Sequence, residues 1–246
     1  MEKSYKKGYS LHAYEVDFEG KAHPSALLNY LQDAAGDHAG RLGFSITELL
    51  KNHQTWLLSR YHIKIFHYPS FGEVVTVSTW PSDAQGIFAL RDFEMVDEKG
   101  DLVLAATSSW ILLDLLKKLP LRVDKALADR SLFDRRALED SFQPLPQIGR
   151  VLQERSFRVL TRDLDFNRHV NNVIYIQWAL EAVPDEIGAA KRPLEVEVSY
   201  RAEAFSGDQI ISRVEGLGGD PAPTFIHQIL NRATGVELAR LRTVWG

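Results

Sequence analysis

Asp163, Asp165, Asn167, Arg168, His169, Asn171 and Asn172 put seven polar side chains into ten residues, within the stretch DLDFNRHVNNVIYIQWALEAVP. The run that follows them is too apolar for a surface helix. Carboxylates, amides and an imidazole at the mouth of a buried helix are the groups that general acid–base chemistry uses. A helix starting near Val170 adds free backbone N–H groups and the positive end of its dipole, where developing negative charge is stabilised. Asp165, Asn167 and His169 alternate along the approach to the helix. In an extended stretch, alternate side chains share a face, so these three are expected to converge on one pocket. Glu203, from the strand after the helix, is expected to reach the same place. Asp165 and Asn167 are also residue types that cap helices and form turns, and that reading stays open.

Such a site needs elements to hold it, and the chain carries those elements twice. Gly72 and Gly207, Gly100 and Gly235, and Trp110 and Trp245 are each 135 positions apart (207 − 72, 235 − 100, 245 − 110). Upstream, Ser10 and Ser156, Asp17 and Asp163, and His23 and His169 are each 146 apart. Two consistent registers indicate a tandem duplication, with 11 extra residues (146 − 135) between the helix and the next strand of the first copy. On this register Glu19 and Lys21 stand opposite Asp165 and Asn167, and His23 reads as structural or vestigial. Each copy reads as a short strand (YSLHAYEV, RSFRVL), an apolar helix (PSALLNYLQDAAGDHAG, VNNVIYIQWALEAV) and four β segments rich in β-branched and aromatic residues. The helices are apolar nearly all round, so a sheet that curls around each is expected to bury it. The charged, proline-terminated stretch LRVDKALADRSLFDRRALEDSFQPLPQIGR reads as a partly helical linker. The expected fold is α+β, a tandem (double) hotdog. Its expected parts are an N-terminal domain over 1–128, a linker over 129–149 and a C-terminal domain over 150–246.

Composition removes several alternatives. Of the 246 residues, 45% are hydrophobic and 25% charged, the balance of a globular chain. A net charge of −4 gives no basic field for nucleic acid. The absence of cysteine excludes disulfides, thiolate zinc sites, iron–sulfur clusters and cysteine nucleophiles. No Gly-x-Ser-x-Gly elbow and no His-Glu-x-x-His pair occurs, so a serine nucleophile, a metal site and a cofactor are not expected. The first residues lack the apolar core of a secretory signal, and no run reaches the ~18 apolar residues of a membrane span. A cytoplasmic location is the expectation. The basic cluster of Lys117, Lys118 and Arg122 reads as a solvated face or as a contact for an acidic partner.

The stretch DLDFNRHVNNVIYIQWALEAVP, together with VEVSYRAEAFSGD, LLNYLQDAAGDHAGRLGFS, RYHIKIFHYPSFGEVVTVSTWP and DLVLAATSSWILLD, resembles the plant-type acyl-acyl-carrier-protein thioesterases over nearly the whole chain. The resemblance is to a bacterial-like member without a transit peptide. It implies hydrolysis of a fatty acyl thioester on acyl carrier protein, without a cofactor. It also implies that Asp165, Asn167, His169 and Glu203 carry the reaction. On the chemistry of these side chains, Glu203 is expected to activate water as general base. Asn167 and His169 would then hold water and substrate, and Asp165 would orient the helix end. The first copy, lacking the polar set, is implied to hold the acyl chain. At Ala204 many relatives carry a cysteine, so a covalent cysteine route is closed to this chain. An acyl-coenzyme A thioesterase, a dehydratase and a non-catalytic acyl-binding regulator on the same fold are the alternatives, and pairing into a homodimer is open.

Overall fold

Val, Ile, Thr and aromatic side chains at alternating positions set the strands, and left-handed glycines set the turns between them. In the computed structural model, which describes residues 3–126, 132–218 and 222–246, the chain divides into two units, Met1–Ser141 and Phe142–Gly246. The first contains β1 (Tyr5–Ser10), α1 (Pro24–Arg41), α2 (Ile46–Lys51), β2 (Gln54–Ile65), β3 (Val74–Gln85), β4 (Phe88–Asp97), β5 (Leu102–Asp114), the short β6 (Leu119–Pro120) and α3 (Val123–Ala126). The second contains β7 (Gln153–Arg158), α4 (Asn172–Leu180), α5 (Asp185–Ala190), β8 (Pro193–Tyr200), β9 (Gln209–Leu217), β10 (Thr224–Asn231) and β11 (Glu237–Trp245).

The antiparallel order is β1-β3-β4-β5-β2 in the first unit and β7-β9-β10-β11-β8 in the second. Strand for strand these are the same topology, with α1 against β1 and β3, and α4 against β9, β10 and β11. The structure is the expected double hotdog. Glycines at φ +82° and +88° (Gly72, Gly207) and at +87° and +71° (Gly100, Gly235) occupy matching turns. A side chain with a Cβ is disfavoured at such φ, which is why these positions kept the 135-residue spacing legible.

The helices differ from the expectation. Every residue of α4 is buried or half-buried, so it is enclosed as expected. α1 buries one face, including Leu27, Leu31 and Ala34, and leaves Asn29, Asp33 and Asp37 exposed. Asp33 and Asp37 accept hydrogen bonds from Lys7 Nζ at 2.6 and 2.7 Å, and Tyr9 Oη donates to Asp33 at 2.7 Å. Those polar positions therefore dock the helix on β1.

The upstream register also needs correction. β1 and β7, the Val16–Ala22 and Leu164–Val170 bridges, and the helix N-caps His23 and Asn171 are all 148 residues apart (for example 171 − 23). The insertion is thus 13 residues (148 − 135), and the 18-residue α1 against the 9-residue α4 accounts for most of it. The sequence register of 146 rested on isolated identities in a loop, where no side-chain period constrains the alignment. On the structural register His23 matches Asn171, while Asp17, Glu19 and Lys21 match Asp165, Asn167 and His169. The first copy has therefore kept the aspartate and lost the amide and the imidazole.

The stretch expected as one strand, YSLHAYEV, ends as a strand at Ser10 and continues through a single 3₁₀ turn over Ala13–Glu15. Among its described residues, the connecting stretch is helical only over Val123–Ala126. The expected boundary at 128/129 lies outside the described residues. Farther on, Arg136 Nε donates to the fully buried Asp92 at 3.0 Å, and Ala137 N–H donates to the same carboxylate at 3.1 Å. A buried carboxylate left without such donors is strongly destabilising, so these two contacts pin the chain to β4 without any helix.

Candidate active site

Two loops of the second unit build the site, residues 159–171 and 201–208. They are laced by backbone bonds: Val159 N–H to the Asp208 carbonyl at 2.9 Å, Gly207 N–H to Val159 at 3.1 Å, and Val170 N–H to Ala204 at 3.1 Å. Within the first loop, Asp165 Oδ1 accepts from the N–H of Asn167 at 2.8 Å and of His169 at 3.2 Å. Asp165 N–H donates to the His169 carbonyl at 2.8 Å, and Arg168 closes the turn at φ +64°. Residues 165–169 are thus a tight turn rather than the extended stretch expected from their alternation. The carboxylate gathers them because Asx side chains bond backbone N–H groups just ahead of them in the chain. Asp17 does the same for Glu19 and Lys21 in the first unit, at 2.9 and 3.0 Å.

The turn delivers His169 to Glu203. The Nδ1–Oε1 distance is 3.0 Å, with the two side chains 35% and 46% exposed. The imidazole also meets Phe205 edge-on, at 5.2 Å between ring centroids and 88°. The Asn167 side chain makes no hydrogen bond to another described residue, so its amide is available to a ligand. Of the four expected residues, the structure brings His169 and Glu203 into contact, ties the backbones of Asn167 and His169 to Asp165, and puts Asp165 in an architectural position.

α4 begins at Asn172, two residues later than expected, with Asn171 as its N-cap. Asn171 Oδ1 accepts from Val173 N–H at 3.0 Å, and the Asn171 carbonyl accepts from Ile174 N–H at 2.9 Å. Val170 and Asn171 N–H are committed to the Ala204 and Asp163 carbonyls. The Asn172 N–H is the amide of this run that bonds to no described residue. The helix end therefore offers one amide with the dipole behind it, not the open set expected at Val170.

Tyr175 was not among the expected site residues. Its phenol oxygen accepts the Ala204 N–H at 2.9 Å, which fixes the residue beside Glu203 to α4. Burial, with Glu203 and other carboxylates nearby, pushes the phenol well above its ordinary pKa, so it stays protonated. Its ring packs edge-on against Trp178 and Tyr200, and Tyr200 Oη donates to the Asn172 carbonyl at 3.0 Å. The sequence signal for Asn171 was an Asx residue one place before the helix. Tyr175 gave no signal beyond its place in the apolar run, because its partner is 29 residues away.

Comparison with known proteins assigns both units to one family. Residues 2–130 match the model for the Acyl-ACP thioesterase N-terminal domain, and residues 149–246 match that for the Acyl-ACP thioesterase C-terminal domain. The chain is 28% identical over 280 residues to oleoyl-acyl carrier protein thioesterase 2, chloroplastic, of Arabidopsis thaliana, covering 98% of this chain and 76% of that one. Among solved structures, the 12:0-ACP thioesterase from Umbellularia californica superposes with a TM-score of 0.88 at 25% identity, over 99% of this chain and 94% of that one. An acyl-ACP thioesterase from Bacteroides thetaiotaomicron gives 0.79 at 25% identity, over 99% and 98%. Both halves of the chain, and the thioester hydrolase chemistry that goes with them, place this protein in the acyl-acyl-carrier-protein thioesterase family.

Proposed function

We propose that this chain releases free fatty acid from acyl carrier protein by direct attack of water, with Glu203 as general base. The observation that carries the reading is the 3.0 Å contact between His169 Nδ1 and Glu203 Oε1, at the mouth of a helix in a chain of this family. Glu203 takes a proton from water as the water oxygen bonds to the thioester carbon. The carbonyl oxygen becomes an oxyanion, and the Asn172 N–H at the helix end, with the Asn167 amide, faces the growing charge. The intermediate collapses by breaking the C–S bond. The leaving thiolate recovers the proton from Glu203, giving fatty acid and the carrier's thiol. His169 holds Glu203 and the water, and Asp165 holds the turn that carries His169. With alanine at 204 no covalent thiol step is available.

The same contact favours a second reading of who takes the proton. If His169 donates Nδ1–H to a charged Glu203, its Nε2 is left as an acceptor, and the imidazole becomes the base that Glu203 orients. The first unit, over residues 1–128, is proposed to hold the acyl chain and the second, over 150–246, to do the chemistry. The relatives named above act on 12:0 and oleoyl chains, so length does not transfer from them.

The test is a pair of substitutions assayed on acyl-carrier-protein and acyl-coenzyme A substrates by thiol release. Glu203→Gln is expected to lower kcat by roughly 10²- to 10⁴-fold, the range of general-base catalysis, with little change in KM. His169→Gln keeps a donor toward Glu203 and is expected to retain more activity than Glu203→Gln. The reverse order assigns the base to His169, and near-normal turnover in both removes the dyad from the reaction. Acyl-coenzyme A turned over in preference to acyl carrier protein would give the activity to the alternative carrier.

A further inference from the structure

Two polar side chains stand on the inner face of the second sheet at places where the first sheet is apolar. Ser212 on β9 and His227 on β10 are both 0% exposed. Val214, two residues from Ser212, and Phe225, two residues from His227, pack with Ala182 and Val183 just beyond α4. Alternate strand residues share a face, so Ser212 and His227 enter the same interior. Arg155 of β7 lies opposite Ser212 and two residues from Phe157, which stacks on Trp178 of α4. A terminal nitrogen of Arg155 donates to Asp185. Its Nε, Ser212 Oγ and His227 Nδ1 are buried atoms that bond to no described residue.

The first unit shows what the fold by itself demands. Lys7 pairs with Val77 as Arg155 pairs with Ser212. Val77 then pairs with Met95, and Ser212 with Ile229, two residues from Phe93 and His227 in turn. Val77 and Phe93, which hold the places of Ser212 and His227, are 0% and 1% exposed. The sheet is therefore built without a serine and a histidine there, and either is a cost to it when unpaired. One contact does recur. Trp110 Nε1 donates to Ser108 Oγ at 2.8 Å, and Trp245 Nε1 to Thr243 Oγ1 at 2.9 Å. In the first unit the serine hydrogen goes on to the Arg91 carbonyl at 3.0 Å. In the second the hydroxyl meets His227 Nε2 at 2.8 Å. An indole N–H only donates, so Thr243 accepts from Trp245 and keeps its own hydrogen to give. Given to His227 Nε2, that hydrogen sets the imidazole as the tautomer with its proton on Nδ1. Burial lowers the His227 pKa to about 3, so the ring is neutral and this is its single N–H.

We propose that Arg155, Ser212 and His227 form a binding site for one internal water between α4 and the second sheet. The water accepts from His227 Nδ1–H and Arg155 Nε–H and donates to Ser212 Oγ, and three bonds are the usual number for a buried water. Spacing favours this bridge over a direct contact. Ser212 and His227 are diagonal neighbours on adjacent strands, whose Cβ atoms stand about 7 Å apart or somewhat less. Side chains rise roughly perpendicular to a sheet, so Oγ and Nδ1 keep much of that separation. It exceeds one hydrogen bond and suits the two bonds of ~2.8 Å that pass through a water. The proposal does not depend on the proposed hydrolysis.

The experiment has a spectroscopic and a thermodynamic arm. Hydrogen–nitrogen correlation spectra of the histidine rings, with His227→Phe to assign the signal, report the tautomer, and cross-relaxation from the ring N–H reports a resident water. The native protein is expected to show a slowly exchanging Nδ1–H with a cross-peak to water. Ser212→Val and His227→Phe, singly and together, install residues that the first unit already accepts, and urea unfolding at neutral pH measures each. One water serves both side chains, so either single variant deprives the other residue of its partner. The double variant is therefore expected to be more stable than the two single losses predict, by roughly fivefold or more in the unfolding constant, where independent sites agree within about twofold. Ser212→Ala, which adds no volume, takes the place of Ser212→Val in the cycle if the valine variant folds poorly. A ring proton on Nε2, an Nδ1 proton without a cross-peak to water, or stabilities that simply add would each overturn the proposal. So would a crystal structure in which Ser212 Oγ bonds His227 Nδ1 directly, whereas a water within ~3.2 Å of both atoms would support it.

Discussion

Replacing Asp165 by asparagine separates architecture from chemistry, because the first unit contains the same turn without the imidazole. Asp165 Oδ1 accepts two amide hydrogens, at 2.8 and 3.2 Å, and Asp17 Oδ1 accepts two at 2.9 and 3.0 Å. A hydrogen bond to a charged acceptor contributes about 1.5–3 kcal/mol, and a neutral acceptor about half as much. Both turns are only part-buried, which places the effect near the lower end, so either Asp→Asn change is expected to cost about 1–2 kcal/mol. Chemical denaturation with both variants side by side should give similar losses. Their activities should diverge. In the second unit the second amide belongs to His169, so a loosened turn releases the Glu203 contact, and a cost of that size corresponds to about a tenfold loss of kcat. Asp17→Asn should keep turnover within about twofold. A loss above about 10³-fold in Asp165→Asn would mean that the carboxylate acts on the substrate directly. Unchanged activity in a destabilised Asp165→Asn protein would mean that the turn does not control the imidazole.

Three further outcomes follow from other residues. Arg168→Gly removes the left-handed strain at φ +64° and, after the added chain entropy of glycine, should stabilise the protein by about 0.5 kcal/mol or somewhat more, read as a rise of about 1–3 °C in Tm; a fall in Tm would show that the arginine contributes contacts to the fold. His227 is fully buried and donates or accepts at Thr243 Oγ1 at 2.8 Å, and burial lowers its pKa from 6.5 to about 3. The unfolded chain therefore binds a proton that the folded one refuses, so stability should fall as pH drops from about 6.5 toward 3 and recover as pH rises; His227→Gln should flatten that part of the profile, and an unchanged slope would assign it to carboxylates. Leu27 and Leu31 are fully buried on α1, and if the first unit holds the acyl chain, Leu31→Ala should shift the chain-length preference by about tenfold per pair of methylenes, whereas a profile of unchanged shape would move the acyl site elsewhere.

The strands, the turns and the duplication were written in the amino-acid order. Side-chain alternation is a local property of each strand, and Gly72, Gly207, Gly100 and Gly235 mark places where backbone conformation itself selects the residue. The polar box before the second helix was equally visible, as was the exclusion of thiol chemistry by a chain without cysteine. What the order of residues left undecided was how that box is aligned and what it touches. The 148-residue register comes from backbone bonds between loops far apart in the chain, Ala22 N–H to the Pro69 carbonyl and Val170 N–H to Ala204, and a loop has no period by which such an alignment can be read. The contact of His169 with Glu203 spans 34 positions (203 − 169), and that of Tyr175 with Ala204 spans 29. Neither is local, so neither has a signature in composition or spacing. Both exist because β8 returns the chain to the mouth of α4, and only the folded sheet determines where that return ends.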